Sequence, residues 1–245
     1  MGGTPESKAS LELPDDVRRR LDTLVSDLTT ALGPKLVSIV VHGSAVRGGY
    51  VAGASDVDVV VVLDAASAAT LAAMGNALRI ARYAARIEAM ILEAREIERA
   101  ADVYPLLYDD IREHHVVLTG SDPFASLSIA DDHRRLRIEQ ELREAQIRMR
   151  RAITDALGDL HATKGAVVRK IKQVRSPLRA LLRMKGHVVA DDAFKVLLAA
   201  AEVYGVDPAT LRRVDEDPAR AHEEFTRLLG LAIDDVDRMG DGRSA

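Results

Sequence analysis

The 245-residue chain contains no cysteine and no tryptophan, and aromatic residues make up only 3% of it. Without cysteine there can be no disulfide, no thiolate zinc ligand and no thiol nucleophile, and the composition suits a reducing compartment. So few rings leave no stacking platform of the kind that single-stranded nucleic-acid binders use. The first ten residues, MGGTPESKAS, contain no apolar stretch, and no run reaches the roughly 18 apolar residues of a membrane span. These absences predict a soluble, cytoplasmic protein with no membrane partner. What is present is aliphatic: hydrophobic residues make up 47% of the chain, enough for a core of Ala, Val, Leu and Ile. The length accommodates two domains.

The formal net charge of −4 conceals an uneven distribution. Residues 1–133 carry −8, residues 134–185 carry +10, and residues 186–245 carry −6. A basic block between two acidic ones is either a solvated helix face or a surface that meets anions.

Apolar positions Val17, Leu21, Leu24, Val25, Leu28 and Leu32 recur at helical spacing from Pro14 to Gly33-Pro34, which predicts a first helix with a proline start and a Gly-Pro stop. Strands follow at 36–41, at 56–63, which is β-branched almost throughout, and at 85–92. An alanine-rich helix fills 65–82, and residues 94–114 read as largely helical. A short strand at 116–118 ends at the turn before Pro123. Beyond Pro123 the strand signal stops, and helices are expected at 132–159, 163–185, 190–204, 208–214 and 218–238. The apolar stripe at 196–203 reads as bundle core. Strands followed by helices predict an α+β fold. Its N-terminal domain, 1–123, has a small mixed sheet flanked by helices. An all-α helical bundle, 124–245, follows it. Oligomeric state has no signature in the chain.

The chemistry concentrates in residues 36–63. An apolar strand runs into His42-Gly43-Ser44, and after the spacer 45–55 the next strand opens with Asp56-Val57-Asp58. Carboxylates two apart on a strand share a face. Two like charges that close raise each other's pKa unless a cation sits with them. Hard oxygen donors suit Mg²⁺ or Mn²⁺, usually completed by substrate phosphates. Gly43 lets the backbone approach a phosphate, and Ser44 offers an N–H and a hydroxyl to its oxygens.

Val40-Val41-His42-Gly43-Ser44, the spacer, and Asp56-Val57-Asp58-Val59 together resemble the signature of the DNA polymerase β-like nucleotidyltransferase superfamily. The resemblance implies a third carboxylate on a later strand, and Glu88 is the candidate, as metal ligand or as base, with Glu93 the alternative if the strand is offset. The competing reading of Glu88 is a salt bridge to a neighbour such as Arg86. Within the superfamily the layout is similar to the two-domain aminoglycoside nucleotidyltransferases, whose helical domain closes the substrate cleft. The stretch Ile111 to Gly120 is similar to the segment ending their first domain. The likeness covers most of 36–123 by motif and 124–245 by architecture alone. Many relatives have arginine directly after the serine; here Arg47 stands in for it.

By that resemblance, Asp56, Asp58 and Glu88 are catalytic and metal-binding, with two Mg²⁺ ions or Mn²⁺ expected. Gly43, Ser44, Arg47, Ser55, Arg179, Arg183 and Lys185 would bind the nucleotide, ATP. The implied activity transfers AMP to a hydroxyl acceptor and releases pyrophosphate. The acceptor could be a small molecule of the aminoglycoside type, since Asp191-Asp192 and Asp215-Glu216-Asp217 offer charge to a cation. The basic run from Lys164 to Lys185 would instead suit RNA or another anion, and a protein acceptor is a further alternative. A non-catalytic reading, an antitoxin-like partner of the same fold, conflicts with the chain's length and its helical half. The adjacent His114 and His115 point apart and cannot share a metal, so they read as surface or packing residues. His42 is expected to turn away from Ser44 and is assigned no role.

Overall fold

The computed structural model describes residues 11–241. The chain divides into two compact units, Met1–Ala101 with Leu107–Ser128, and Asp102–Leu106 with Ile129–Ala245.

In the first unit, α1 (Asp15–Leu32) buries Val17, Leu21, Leu24, Leu28 and Leu32 along one face. Gly33, at φ 52°, ends it. Strand β1 (Leu36–His42) is followed by the short α2 (Ser44–Arg47), β2 (Val57–Leu63), α3 (Ala68–Ala85) and β3 (Ile87–Glu93). Helices α4 (Ala94–Arg99) and α5 (Pro105–Glu113) precede β4 (His115–Gly120). The sheet runs β3-β2-β1-β4. Strand β1 is antiparallel to both its neighbours, while β2 and β3 are parallel, joined through α3.

Alternation along the strands decides what each face buries. Ile39, Val41, Val57, Val59, Val61, Leu63 and Ile87 form one core with the apolar stripes of α1 and α3. Val40, Val60 and Val62, on the opposite face, are also fully buried. Strand β2 is therefore apolar on both faces for most of its length. The exception is its first turn of pleat, where Asp58 sits.

The second unit is helical: α6 (Asp131–Asp155), α7 (Leu160–Gln173), α8 (Arg175–Met184), α9 (Ala193–Tyr204), α10 (Pro208–Arg212) and α11 (Pro218–Asp241). Ile138, Leu142, Met149, Ile171, Leu181, Leu197, Phe225 and Leu229 belong to one buried cluster. No helix among the described residues is long and apolar enough to cross a membrane.

Two expected helices are each two. The helix expected over 163–185 breaks at Val174, which closes α7 and opens α8. Pro177 explains the break, because it has no N–H to donate to the carbonyl four residues back. It sits in the first turn of α8, where that loss is harmless. The stretch 94–114 likewise splits, with Pro105 opening α5. Asp159, Asp192 and Asp207 cap α7, α9 and α10 by accepting backbone N–H bonds, the usual role of a short acid at a helix start.

Candidate active site

Strand β1 ends where Gly43 turns the chain at φ 74°, ψ −150°, a region essentially closed to residues with a Cβ. Helix α2 starts at once, so the amides of Ser44 and Ala45 belong to a first turn that has no intrahelical acceptors. Gly48, at φ 76°, ends it in the left-handed conformation. The following loop closes on itself: Ser55 Oγ accepts from the Val51 amide at 3.0 Å, and the Ser55 amide donates to the Val51 carbonyl at 2.8 Å. That closure delivers Asp56 to the start of β2.

The register then builds a row across the sheet. His115 lies opposite His42, His42 opposite Asp58, and Asp58 opposite Glu88. Directly paired residues share a face, so β4, β1, β2 and β3 contribute one polar residue each to the same end of one face. A Cβ on Gly43 would collide with Asp58 Oδ2 and lie 3.3 Å from its Cγ. The turn and the carboxylate are in contact. Burial raises the Asp58 carboxyl above its ordinary pKa, and the neighbouring Asp56 raises it further.

Arginines hold the other two carboxylates. Asp56 Oδ1 accepts from Arg86 Nε at 2.9 Å, and Glu88 Oε1 pairs with Arg82 Nε at 2.8 Å. The partner of Glu88 is thus Arg82, one turn before the Arg86 expected from sequence. Glu93 ends β3, and its carboxylate accepts from the Ala66 amide at 2.7 Å and from Arg95. It belongs to the start of α4, and Glu88 is the carboxylate in register with Asp58. Among the described residues no three His, Asp or Glu side chains are gathered closely enough to hold a metal.

Arg47 reaches from α2 to α5, where its Nη1 lies 2.5 Å from both oxygens of Asp110. Arg179, Arg183 and Lys185 are residues of the second unit. Arg179 Nε donates to the Val189 carbonyl at 3.4 Å. Lys185 meets Asp235 at 2.7 Å and lies 5.6 Å from the centre of the Tyr204 ring, whose hydroxyl also donates to Asp235. Of the acids considered for a cationic acceptor, Asp191 pairs with Arg175, Asp215 with Lys164, and Asp192 caps α9.

His42 is the residue that sequence reasoning missed. It is 8% exposed, its Nδ1 is buried with no hydrogen-bond partner, and it sits on the carboxylate face. Burial holds its pKa down at about 4, so the ring is neutral at pH 7. Only the strand pairing brings it beside Asp58, and pairing leaves no mark in the local sequence. His115 packs edge-on against Phe124 and bonds the Ile111 carbonyl and Asp122, a packing role.

Residues 21–121 match the nucleotidyltransferase domain family. This segment is a nucleotidyltransferase domain. The match spans α1 through β4 and contains the whole row from His115 to Glu88. No curated protein matches the chain by sequence. Among solved structures the chain is similar to spectinomycin adenyltransferase AAD(9) from Enterococcus faecialis, solved with ATP and spectinomycin. The two are 14% identical with a TM-score of 0.50, over 90% of this chain and 99% of that one. At that identity the likeness is one of fold, α+β with a mainly helical C-terminal part. The nucleotidyltransferase domain places the chain among nucleotide-transferring enzymes. Asp56 and Asp58 offer oxygen donors only, the type a hard divalent cation takes one or two of beside substrate phosphates, and Asp58 is half-buried against the glycine turn.

Proposed function

We propose that the chain transfers AMP from ATP to a hydroxyl of a small-molecule acceptor. The observation that carries this reading is the contact between the Gly43 turn and Asp58, with Glu88 in register one strand away. A phosphate held at the Ser44 amide and hydroxyl lies next to the carboxylates in that arrangement. Asp56 and Asp58 are the residues that would hold Mg²⁺ or Mn²⁺, which offsets phosphate charge when bound. Glu88 takes the acceptor's hydroxyl proton. The acceptor oxygen forms a bond to the α-phosphorus, the bond from that phosphorus to the bridging oxygen breaks, and pyrophosphate leaves with its electrons.

The fold neighbour, solved with ATP and spectinomycin, supports ATP as donor and a small-molecule acceptor, which we take to be of the aminoglycoside type. An RNA acceptor draws less support. Three cations of the basic run, Lys164, Arg175 and Lys185, are paired with Asp215, Asp191 and Asp235 inside the second unit.

Incubation with α-labelled ATP, Mg²⁺ and a panel of aminoglycosides, spectinomycin, RNA and protein extract tests the reading. Label on a small molecule with matching pyrophosphate release supports it. Label on RNA or protein alone replaces the acceptor class, and no pyrophosphate with any acceptor overturns the reading.

A further inference from the structure

Arg86 occupies the C-cap of α3 at φ 53°, ψ 39°, a left-handed conformation that disfavours any residue with a Cβ. Its backbone is doubly used. The amide donates to the Arg82 carbonyl at 2.9 Å, and the carbonyl accepts from the Val57 amide at 3.0 Å, between the two aspartates. Glycine would serve both bonds with less strain. An arginine at such a position calls for a reason in its side chain.

The side chain supplies one. Its Nε donates to Asp56 Oδ1 at 2.9 Å, and its Nη2 donates to the Ala54 carbonyl at 3.4 Å. One turn earlier, Arg82 meets Glu88 at 2.8 Å. The last turn of α3 therefore sends a cation to each of two carboxylates in the set. Both arginine side chains are more than half exposed, so each can leave its partner at little cost.

The geometry points to Arg86 and Arg82 as resident counter-cations of the carboxylate set, which a divalent metal must displace to bind. This rests on the metal-dependent reading given above. Asp56, Asp58 and Glu88 carry three formal negative charges and the two arginines offset two. A divalent cation that takes their place leaves both guanidiniums without a carboxylate partner, a state that a polyanionic triphosphate relieves. Metal and nucleotide bind with positive coupling as a result, and the arginines set its size.

The test titrates the full chain with Mn²⁺, followed by calorimetry and electron paramagnetic resonance, with and without α,β-methylene-ATP. Arg86→Gly suits the left-handed backbone and removes the side chain with its charge, Arg86→Lys keeps the charge, and Arg82→Ala frees Glu88. Arg86→Gly is expected to tighten Mn²⁺ binding without nucleotide by roughly tenfold, the effect of removing a nearby like charge, and to shrink the gain that nucleotide brings. Arg82→Ala acts in the same direction, and Arg86→Lys behaves as wild type. Unchanged or weakened Mn²⁺ binding in Arg86→Gly overturns the exchange, leaving Arg86 as a positioning residue for Asp56. A wild-type chain that takes no Mn²⁺ under either condition brings down the metal reading itself.

Discussion

Gly43 and Asp58 touch. A Cβ on Gly43 would overlap the Asp58 carboxylate, and the glycine's own backbone angles exclude other residues. One glycine thus serves two needs: the chain turns into α2, and a carboxylate occupies the space a side chain would take. The Gly43-Ser44 turn proposed to meet phosphate and the candidate metal seat are built as a single object.

Gly43→Ala should therefore damage both. The left-handed backbone alone costs about 1–3 kcal/mol, and Asp58 must move as well. We expect a clearly lowered melting temperature together with loss of pyrophosphate release. A variant that melts and turns over like wild type would mean the turn is pliable and Asp58 is not fixed by it.

Asp58→Asn should separate fold from chemistry. Burial, reinforced by Asp56, raises the Asp58 carboxyl in the folded chain, so the folded state holds that proton more tightly than the unfolded one. Stability from this group falls as pH rises through the raised value. Without metal at neutral pH, Asn should raise the melting temperature, by about 2–4 °C for each kcal/mol gained in a chain this long. The difference should shrink as acid protonates wild type. Turnover should be lost, and an active Asp58→Asn enzyme would remove Asp58 from the site.

Glu88→Gln keeps the shape and a hydrogen bond to Arg82 while removing proton acceptance. If Glu88 is the base, turnover falls by roughly 10²–10⁴ with ATP affinity retained, and the acidic limb of the pH–rate profile flattens. A normal rate with lowered stability would reduce Glu88 to the partner of Arg82.

His42 predicts a pH effect of opposite sign. Its folded pKa, about 4, lies below the ordinary 6.5 because of burial. The stability that a neutral His42 contributes is complete above pH 6.5 and is lost as pH falls toward 4. His42→Phe keeps a ring of similar size, removes the unpartnered Nδ1 and cannot charge. Thermal melts from pH 7 to pH 4 should show wild type losing more stability than the variant over that window. Parallel curves would mean His42 charges freely in the folded chain.

Much of this was legible residue by residue. The strand, the Gly-Ser turn, the spacer and Asp56-Val57-Asp58 are local patterns whose chemistry follows from residue type and spacing. The stripe of α1 and the apolar run of β2 announce their burial in the same way. Glu88 could be singled out as a carboxylate where a strand would ordinarily place an apolar side chain. Pro177 carried the break between α7 and α8 in plain view, although helical periodicity on either side of it suggested one helix.

The sequence by itself determined which elements form and which residue types reach the carboxylate end of the sheet, because backbone preference and side-chain alternation are local. Tertiary structure alone decided who stands beside whom. It placed His42 opposite Asp58, turned Arg82 and Arg86 onto Glu88 and Asp56, and tied Arg47 to Asp110. The pairs His42–Asp58, Arg86–Asp56 and Arg47–Asp110 join residues distant in the chain, and strand register sets the first: a slip of one residue would put His42 and Asp58 on opposite faces.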